Sequence, residues 1–313
     1  MATAAPYRID LHHHLSPPGY IAELDRLAVR FTRETREWTP AYSIDQMDKG
    51  SVQTAVTSIT TPGLWYGDPA VTKKLARLCN DYAAKINSDH PKRFGMFVNL
   101  PMPDVDASLK EIEYGLDVLK ADGIVFFTSY GDKWMFDPSF DPVFEELNRR
   151  KALVYVHPTT ADCCTDIMPG IADSIIEYNT DTTRAIAQMV LTGRSARFSN
   201  IRMIWSHGGG TMPFLIMRFL RAARQPQYAK NLPNGVMHEL QRFYYDTAAV
   251  YAPAPMLALK AVVPVSQILY GTDVPWGDPK EIAEALIECG VFSEADLRLI
   301  DRENALRLVP QYR

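Results

Sequence analysis

Short apolar runs, many of them β-branched or aromatic, recur along this chain, each closed by a polar or turn residue. They are Tyr7–His12, Val52–Ile59, Arg93–Asn99, Gly123–Thr128, Ala152–His157, Ile201–Ser206, Arg242–Asp246 and Gln267–Thr272. A continuous apolar run of this length predicts a strand buried on both faces, as in a parallel sheet. Between most of them the apolar spacing becomes helical. Pro69–Asn87 puts Val71, Leu75, Leu78, Ala83 and Ile86 on one face, and Val105–Leu119 does the same with Leu109, Ile112, Leu116 and Leu119. Asp141–Arg150, Asp181–Thr192, Pro213–Ala223 and Pro279–Ile287 follow. Asp181 with Thr182, and Asp278 before Pro279, have the chemistry of N-terminal caps. Eight strands alternating with helices predict an α/β fold, a (β/α)8 TIM barrel rather than an open sheet.

Two connections are too long for a bare strand–helix unit. The first, about residues 16–48, carries Arg30, Arg33, Arg36 and Trp38 and is expected to be an insertion over the barrel mouth. The second is Asp162–Asn179, after the fifth strand. Leu297–Arg313 is expected to be a closing helix with a short tail. No break in composition marks a second domain, so a single domain over residues 1–313 is expected.

Composition narrows the class. Of 313 residues, 47% are hydrophobic and 22% charged, which excludes a fibrous or disordered chain. A formal charge of −4 argues against a nucleic-acid binder. Cys79, Cys163, Cys164 and Cys289 form neither a disulfide framework nor a CxxC zinc site, so a reducing, cytoplasmic setting is expected. The N-terminal residues have no apolar leader segment, and Ala252–Tyr270 is too broken by Pro253, Pro255, Lys260 and Pro264 to cross a membrane.

Barrel chemistry gathers at the C-terminal ends of the strands, so the residues closing the runs are the candidates. The first run ends Asp10-Leu11-His12-His13-His14, the fifth ends in His157, the sixth is followed by His207, and the eighth ends Gly271-Thr272-Asp273. With period-two alternation His12 and His14 face one way and His13 the other. One histidine after a strand is ordinarily a hydrogen-bonded structural residue. Metal-ligand residue types at four strand ends together point to a transition-metal site. On the residues alone, His207 is either a ligand or an acid–base group, and His13 is packed or hydrogen-bonded away from the site. Gly208–Gly210 lacks the pattern of a phosphate loop and is expected to allow close backbone approach. Cys163 and Cys164 are expected to be ordinary loop thiols. Trp65 and Trp134 are candidates for an apolar wall beside the site, although an aromatic residue near a strand end is more often part of the core.

These motifs resemble the amidohydrolase superfamily, in its branch of metal-dependent, non-oxidative decarboxylases that includes aminocarboxymuconate-semialdehyde and 6-methylsalicylate decarboxylases. The resemblance runs from Ile9 to about Asn304. Its carriers are Asp10–His14, Trp38-Thr39-Pro40, Pro91–Gly95, Leu119–Gly123, His157-Pro158-Thr159, Asp181–Arg184, Ser206–Gly210 and Tyr270–Trp276. HxH alone is shared by many hydrolases, whereas His-Gly-Gly-Gly after strand six with Gly-Thr-Asp-x-Pro after strand eight is far more specific.

The resemblance implies that His12, His14, His157 and Asp273 hold one divalent metal, zinc or manganese. It implies that His207 is a catalytic acid–base group, with Asp273 a further carrier of the proton. Thr128 and Ser129 stand where binuclear relatives carry a carbamylated lysine, so one metal is implied. The family arginine eleven residues after the strand-six histidine corresponds to Arg218. It would hold a substrate carboxylate in the partner subunit's site, which implies a homodimer or dimer-based oligomer. The implied reaction releases CO2 from a small aromatic or unsaturated carboxylic acid, an ortho-hydroxybenzoate such as 6-methylsalicylate. The alternative is a metal-dependent hydrolase, a lactonase or amidohydrolase, using the same ligands.

Overall fold

The computed structural model describes residues 7–313. Residues 1–6, which begin the expected domain and the segment inspected for a leader, lie outside the described residues. Eight parallel strands follow one another around a barrel: β1 (Arg8–His14), β2 (Val52–Ser58), β3 (Phe94–Asn99), β4 (Gly123–Phe127), β5 (Leu153–His157), β6 (Arg202–Trp205), β7 (Tyr244–Asp246) and β8 (Ile268–Leu269). The eighth is much shorter than the run Gln267–Thr272, yet the backbone after it continues alongside β1. Leu11 N donates to Tyr270 O at 3.1 Å, Asp273 N to His12 O at 2.8 Å and His14 N to Val274 O at 2.9 Å, which closes the ring. Among the described residues no helix is long and apolar enough to cross a membrane.

Alternation fills the barrel. Ile9, Leu11, Val56, Phe97, Val125, Leu153, Tyr155, Ile204 and Leu269 pack together inside it. Ala305, Leu308, Val309 and Tyr312 of the C-terminal segment join that cluster and plug the end away from the strand C-termini. The larger core lies between the strands and the surrounding helices. The interior is therefore filled below, and only its upper end is free for chemistry.

Several helices begin where expected. Asp68 caps Pro69–Asp89, and Asp278 caps Pro279–Glu288 by accepting from Lys280 N and Glu281 N. Others differ. The helix expected over Asp181–Thr192 starts eight residues earlier and runs Asp173–Leu191. Asp181 is thus interior and fully buried rather than a cap. Its carboxylate accepts from Ala161 N at 3.1 Å and pairs with Arg184 at 2.5 Å, a tertiary arrangement that local patterning does not reveal. The long connection after β5 shrinks accordingly. The helix expected over Pro213–Ala223 is only Ile216–Ala222. A helix at Pro253–Val262 was not expected, because prolines mark breaks. Here Pro253 occupies the first turn, where a missing N–H costs nothing. Between β1 and β2 lie helices Pro18–Arg26, Arg33–Glu37 and Pro40–Lys49, the last packed on β2. Thr32 and Thr39 cap the second and third.

Candidate active site and metal centre

Alternation carries inward packing up to the site. In β5, Leu153 and Tyr155 point inward, so His157 does too, and after Leu269 the same parity falls on Gly271 and Asp273. The first strand needs a further device. Ile9 and Leu11 are inward, and strict alternation would then turn His13 inward and His12 outward. Between Asp10 and His13 the pairing with β2 slips by one residue, with Asp10 opposite Ala55 and His13 opposite Thr57. This bulge resets the parity. His12 and His14 then face the barrel axis, while His13 turns outward to Asp10 Oδ2 (2.9 Å) and Ser43 Oγ (2.8 Å).

Four candidate ligand atoms, one each from His12, His14, His157 and Asp273, lie within 4.8 Å of one another. The Nε2 atoms of His12 and His14 are 3.1 Å apart, and Asp273 Oδ1 is 3.3 Å from the first and 3.0 Å from the second. All three histidines are essentially buried. Each engages its Nδ1 elsewhere: His12 at Asp246 Oδ2 (2.8 Å), His14 at Ser58 O (3.3 Å), His157 at Pro158 O (2.8 Å). An Nδ1–H that donates outward leaves the Nε2 lone pair aimed at the common point, which is how imidazoles are oriented for metal ligation. Asp273 Oδ1 is buried and makes no hydrogen bond although two imidazole nitrogens stand beside it. That oxygen faces a shared centre rather than a donor, and the residues fit one divalent cation.

Electrostatics separates the three imidazoles. Burial pushes the His14 imidazolium down to about 4 and that of His157 well below the ordinary value, so both are neutral near pH 7. Burial opposes charge on His12 as well, but the Asp246 and Asp273 carboxylates hold its pKa above the ordinary value. Asp273 would be raised by burial, yet His12, His14 and His207 keep it well below the usual carboxylate range. A bound cation would take over that role.

His207 sits apart from the four. It follows β6 at φ +52°, and Gly208, Gly209 and Gly210 continue at positive φ. A side chain at Gly210 would meet the Asn179 carbonyl at 2.1 Å, which is the expected close backbone approach. His207 Nε2 is 3.5 Å from Asp273 Oδ2, and its Nδ1 is buried without a partner. A cavity of about 300 Å³ opens above these groups, lined by Thr32, Thr60, Thr61, His157, Ser174, Tyr178, Asn179, His207, Ala249, Asp273 and Trp276. Thr32 comes from the segment between β1 and β2. The aromatic wall is Tyr178 and Trp276. Trp65 instead lines a separate hollow beside Gly131, and Trp134 lies near the Arg184 guanidinium.

Arg218 is not brought to this cavity. It is exposed on Ile216–Ala222, beside Phe214 (87% exposed) and Met217 (61%). Among the described residues no lysine or arginine lines the cavity. Sequence reasoning missed Asp246. It is the last residue of β7 and has the parity of Tyr244, which packs on the interior cluster, so the rule that found His157 would have found it. Cys163 and Cys164 are free, with their sulfur atoms 2.7 Å apart, outside this cavity.

The amidohydrolase family profile matches residues 9–311. A protein named decarboxylase yanB from Aspergillus niger is 32% identical over 97% of this chain and 88% of its own length. The 6-methylsalicylic acid decarboxylase of Penicillium expansum is 32% identical over 97% of this chain and 96% of its own. Among solved structures, a dihydroxybenzoic acid decarboxylase from Polaromonas sp., with bound manganese and the inhibitor 2-nitroresorcinol, superposes with a TM-score of 0.82 at 19% identity. It covers 98% of each chain.

Proposed function

The chain belongs to the amidohydrolase family, and on that premise we propose that it is a metal-dependent, non-oxidative decarboxylase of a small ortho-hydroxybenzoate such as 6-methylsalicylate. The carrying observation is the convergence of His12, His14, His157 and Asp273 beneath a cavity that His207 also lines. The cofactor is one divalent metal ion. The manganese of the Polaromonas enzyme favours manganese in the choice between it and zinc. When bound, the metal supplies a positive centre for the substrate's carboxylate and ortho oxygen.

The chain's own residues do the rest. The cavity is at the small end of ligand-site volumes, which suits one ring between Tyr178 and Trp276. Loss of CO2 from a ring carbon requires that carbon to gain a proton, or a carbanion is left. Asp273 Oδ2 and His207 Nε2, 3.5 Å apart, are the pair placed to hold and pass that proton. Thr32, Thr60, Thr61 and Ser174 present hydroxyls, while Tyr178 donates to Thr61 Oγ1 at 3.0 Å. None carries positive charge. We therefore assign the remaining carboxylate grip to Arg218 of a partner subunit, in a homodimer whose exposed Phe214 and Met217 lie at the contact. The enzyme is proposed to work as a single domain over 1–313, in the cytoplasm.

Hydrolysis of a lactone or amide is disfavoured because the relatives above are decarboxylases. Incubation of the metal-analysed protein with a panel of hydroxybenzoates, muconates and lactones decides. Stoichiometric CO2 from an ortho-hydroxybenzoate supports the reading, and turnover confined to lactones overturns it.

A further inference from the structure

Asp246 closes β7 with its side chain fully buried and both oxygens engaged. Oδ2 lies 2.8 Å from His12 Nδ1. Oδ1 accepts the backbone N–H of His207 at 2.9 Å and that of Ala248 at 3.1 Å. One carboxylate thus joins a histidine of β1, two strands further round the ring, to the turn after the neighbouring β6. We propose that Asp246 is a positioning residue for both halves of the chemistry: it orients His12 toward the metal and pins the turn that presents His207. This rests on the metal-site reading above.

The first half follows from donor counting. A carboxylate accepts and cannot donate, so His12 must carry its proton on Nδ1 toward Asp246. In the neutral ring that a cation requires, the lone pair is then on Nε2, the atom that converges with His14 Nε2 and Asp273 Oδ1. The second half follows from backbone geometry. His207 has φ +52°, and the three glycines after it have φ +61°, +78° and +65°. Left-handed conformations for non-glycine residues persist only where the surroundings hold them. The His207 N–H to Asp246 is such a hold. A third observation shows that the contact has room made for it. Gly271 sits where a Cβ would come within 2.8 Å of His12 Cβ and 2.9 Å of Asp246 Cβ. Only the absence of a side chain there lets both groups keep their places.

Asp246→Asn is the informative substitution, because it keeps shape and volume. Its amide offers one oxygen and one NH2. If the NH2 faces His12, the imidazole must accept on Nδ1 and lose its Nε2 lone pair. If the NH2 faces the turn, it opposes the N–H groups of His207 and Ala248. The first orientation misdirects His12, and the second loses both backbone hydrogen bonds of the turn. We expect folded Asp246→Asn to bind manganese or zinc about 10- to 100-fold more weakly in chelator competition, the usual scale for outer-shell partners. We also expect a lower kcat at saturating metal. Asp122→Asn, at the opposite end of the barrel, serves as the control and should leave both values unchanged. A purely structural role would lower the melting temperature while leaving metal affinity and kcat per bound metal intact, and that result overturns the proposal.

A further measurement needs no variant. In the zinc-loaded wild type, ¹⁵N NMR should show His12 metallated at Nε2 with a proton on Nδ1, and metallation at Nδ1 would overturn the orienting role. The metal-binding arms involve no substrate. If the decarboxylase reading were wrong, wild type would release no CO2 while the affinity difference persisted.

Discussion

Replacing His207 tests the division of labour most directly. Asparagine is the right substitute. Position 207 has φ +52°, a conformation that Asn tolerates better than Ala, so backbone strain does not confound the result. The hydrogen bond that anchors the turn, from the His207 N–H to Asp246 Oδ1, comes from the backbone and survives. The lost imidazole borders an existing cavity, so its loss enlarges that space rather than opening a sealed void. The fold should lose no more than about 1–2 kcal/mol. The convergent set does not include His207, so metal content should stay near one per chain. The rate should not survive. A general acid–base group is worth about 10²- to 10⁴-fold, which at about 1.36 kcal/mol per decade is roughly 2.7–5.5 kcal/mol of transition-state stabilisation. The assay pairs metal analysis with CO2 release from an ortho-hydroxybenzoate at saturating metal. Metal lost in step with activity would make His207 a ligand, and a kcat within about threefold of wild type would remove it from the chemistry.

Three other outcomes are expected. His12→Ala should lose its metal and its activity, and chelator treatment of wild type should lower the melting temperature, because saturation at a thousand times Kd stabilises by about 4 kcal/mol; full metal occupancy in the variant would refute the site. Inactive Arg218→Ala and His207→Asn proteins, mixed and allowed to exchange subunits, should recover about a quarter of wild-type turnover, since half the dimers then hold one intact site; no recovery after verified exchange rejects the shared site. Asp122, which accepts from Met96 N and Tyr312 OH, is pushed by burial up to about 6. A carboxyl raised in the folded state gives stability that is present at low pH and lost as pH rises through that value. Urea unfolding should thus show a decline from about pH 4 to 6 that is smaller in Asp122→Asn, and identical slopes would refute it.

Much of this molecule was legible in one dimension. Short apolar runs closed by polar residues reveal parallel strands, because a strand covered on both faces has no polar side to show. The same runs end in His157 and Asp273, and alternation carries Leu153–Tyr155–His157 and Leu269–Gly271–Asp273 inward without further information. The pairing of His12 with His14, and the exclusion of His13, also follow from a period of two.

Other features needed three dimensions. Alternation says that His12 and His14 share a side but not which side. A one-residue slip against β2 turns that side inward, and such a slip depends on pairing between segments some forty residues apart. Asp181 had the chemistry of a cap but lies inside a helix, because its carboxylate serves Ala161. Asp246 is read as a metal-site residue only once closure of the ring brings β7 within two strands of β1. Local periodicity reports which face of an element is apolar. It holds no term for what the other face meets, and in a closed barrel that meeting is set by the register of all eight strands around the ring.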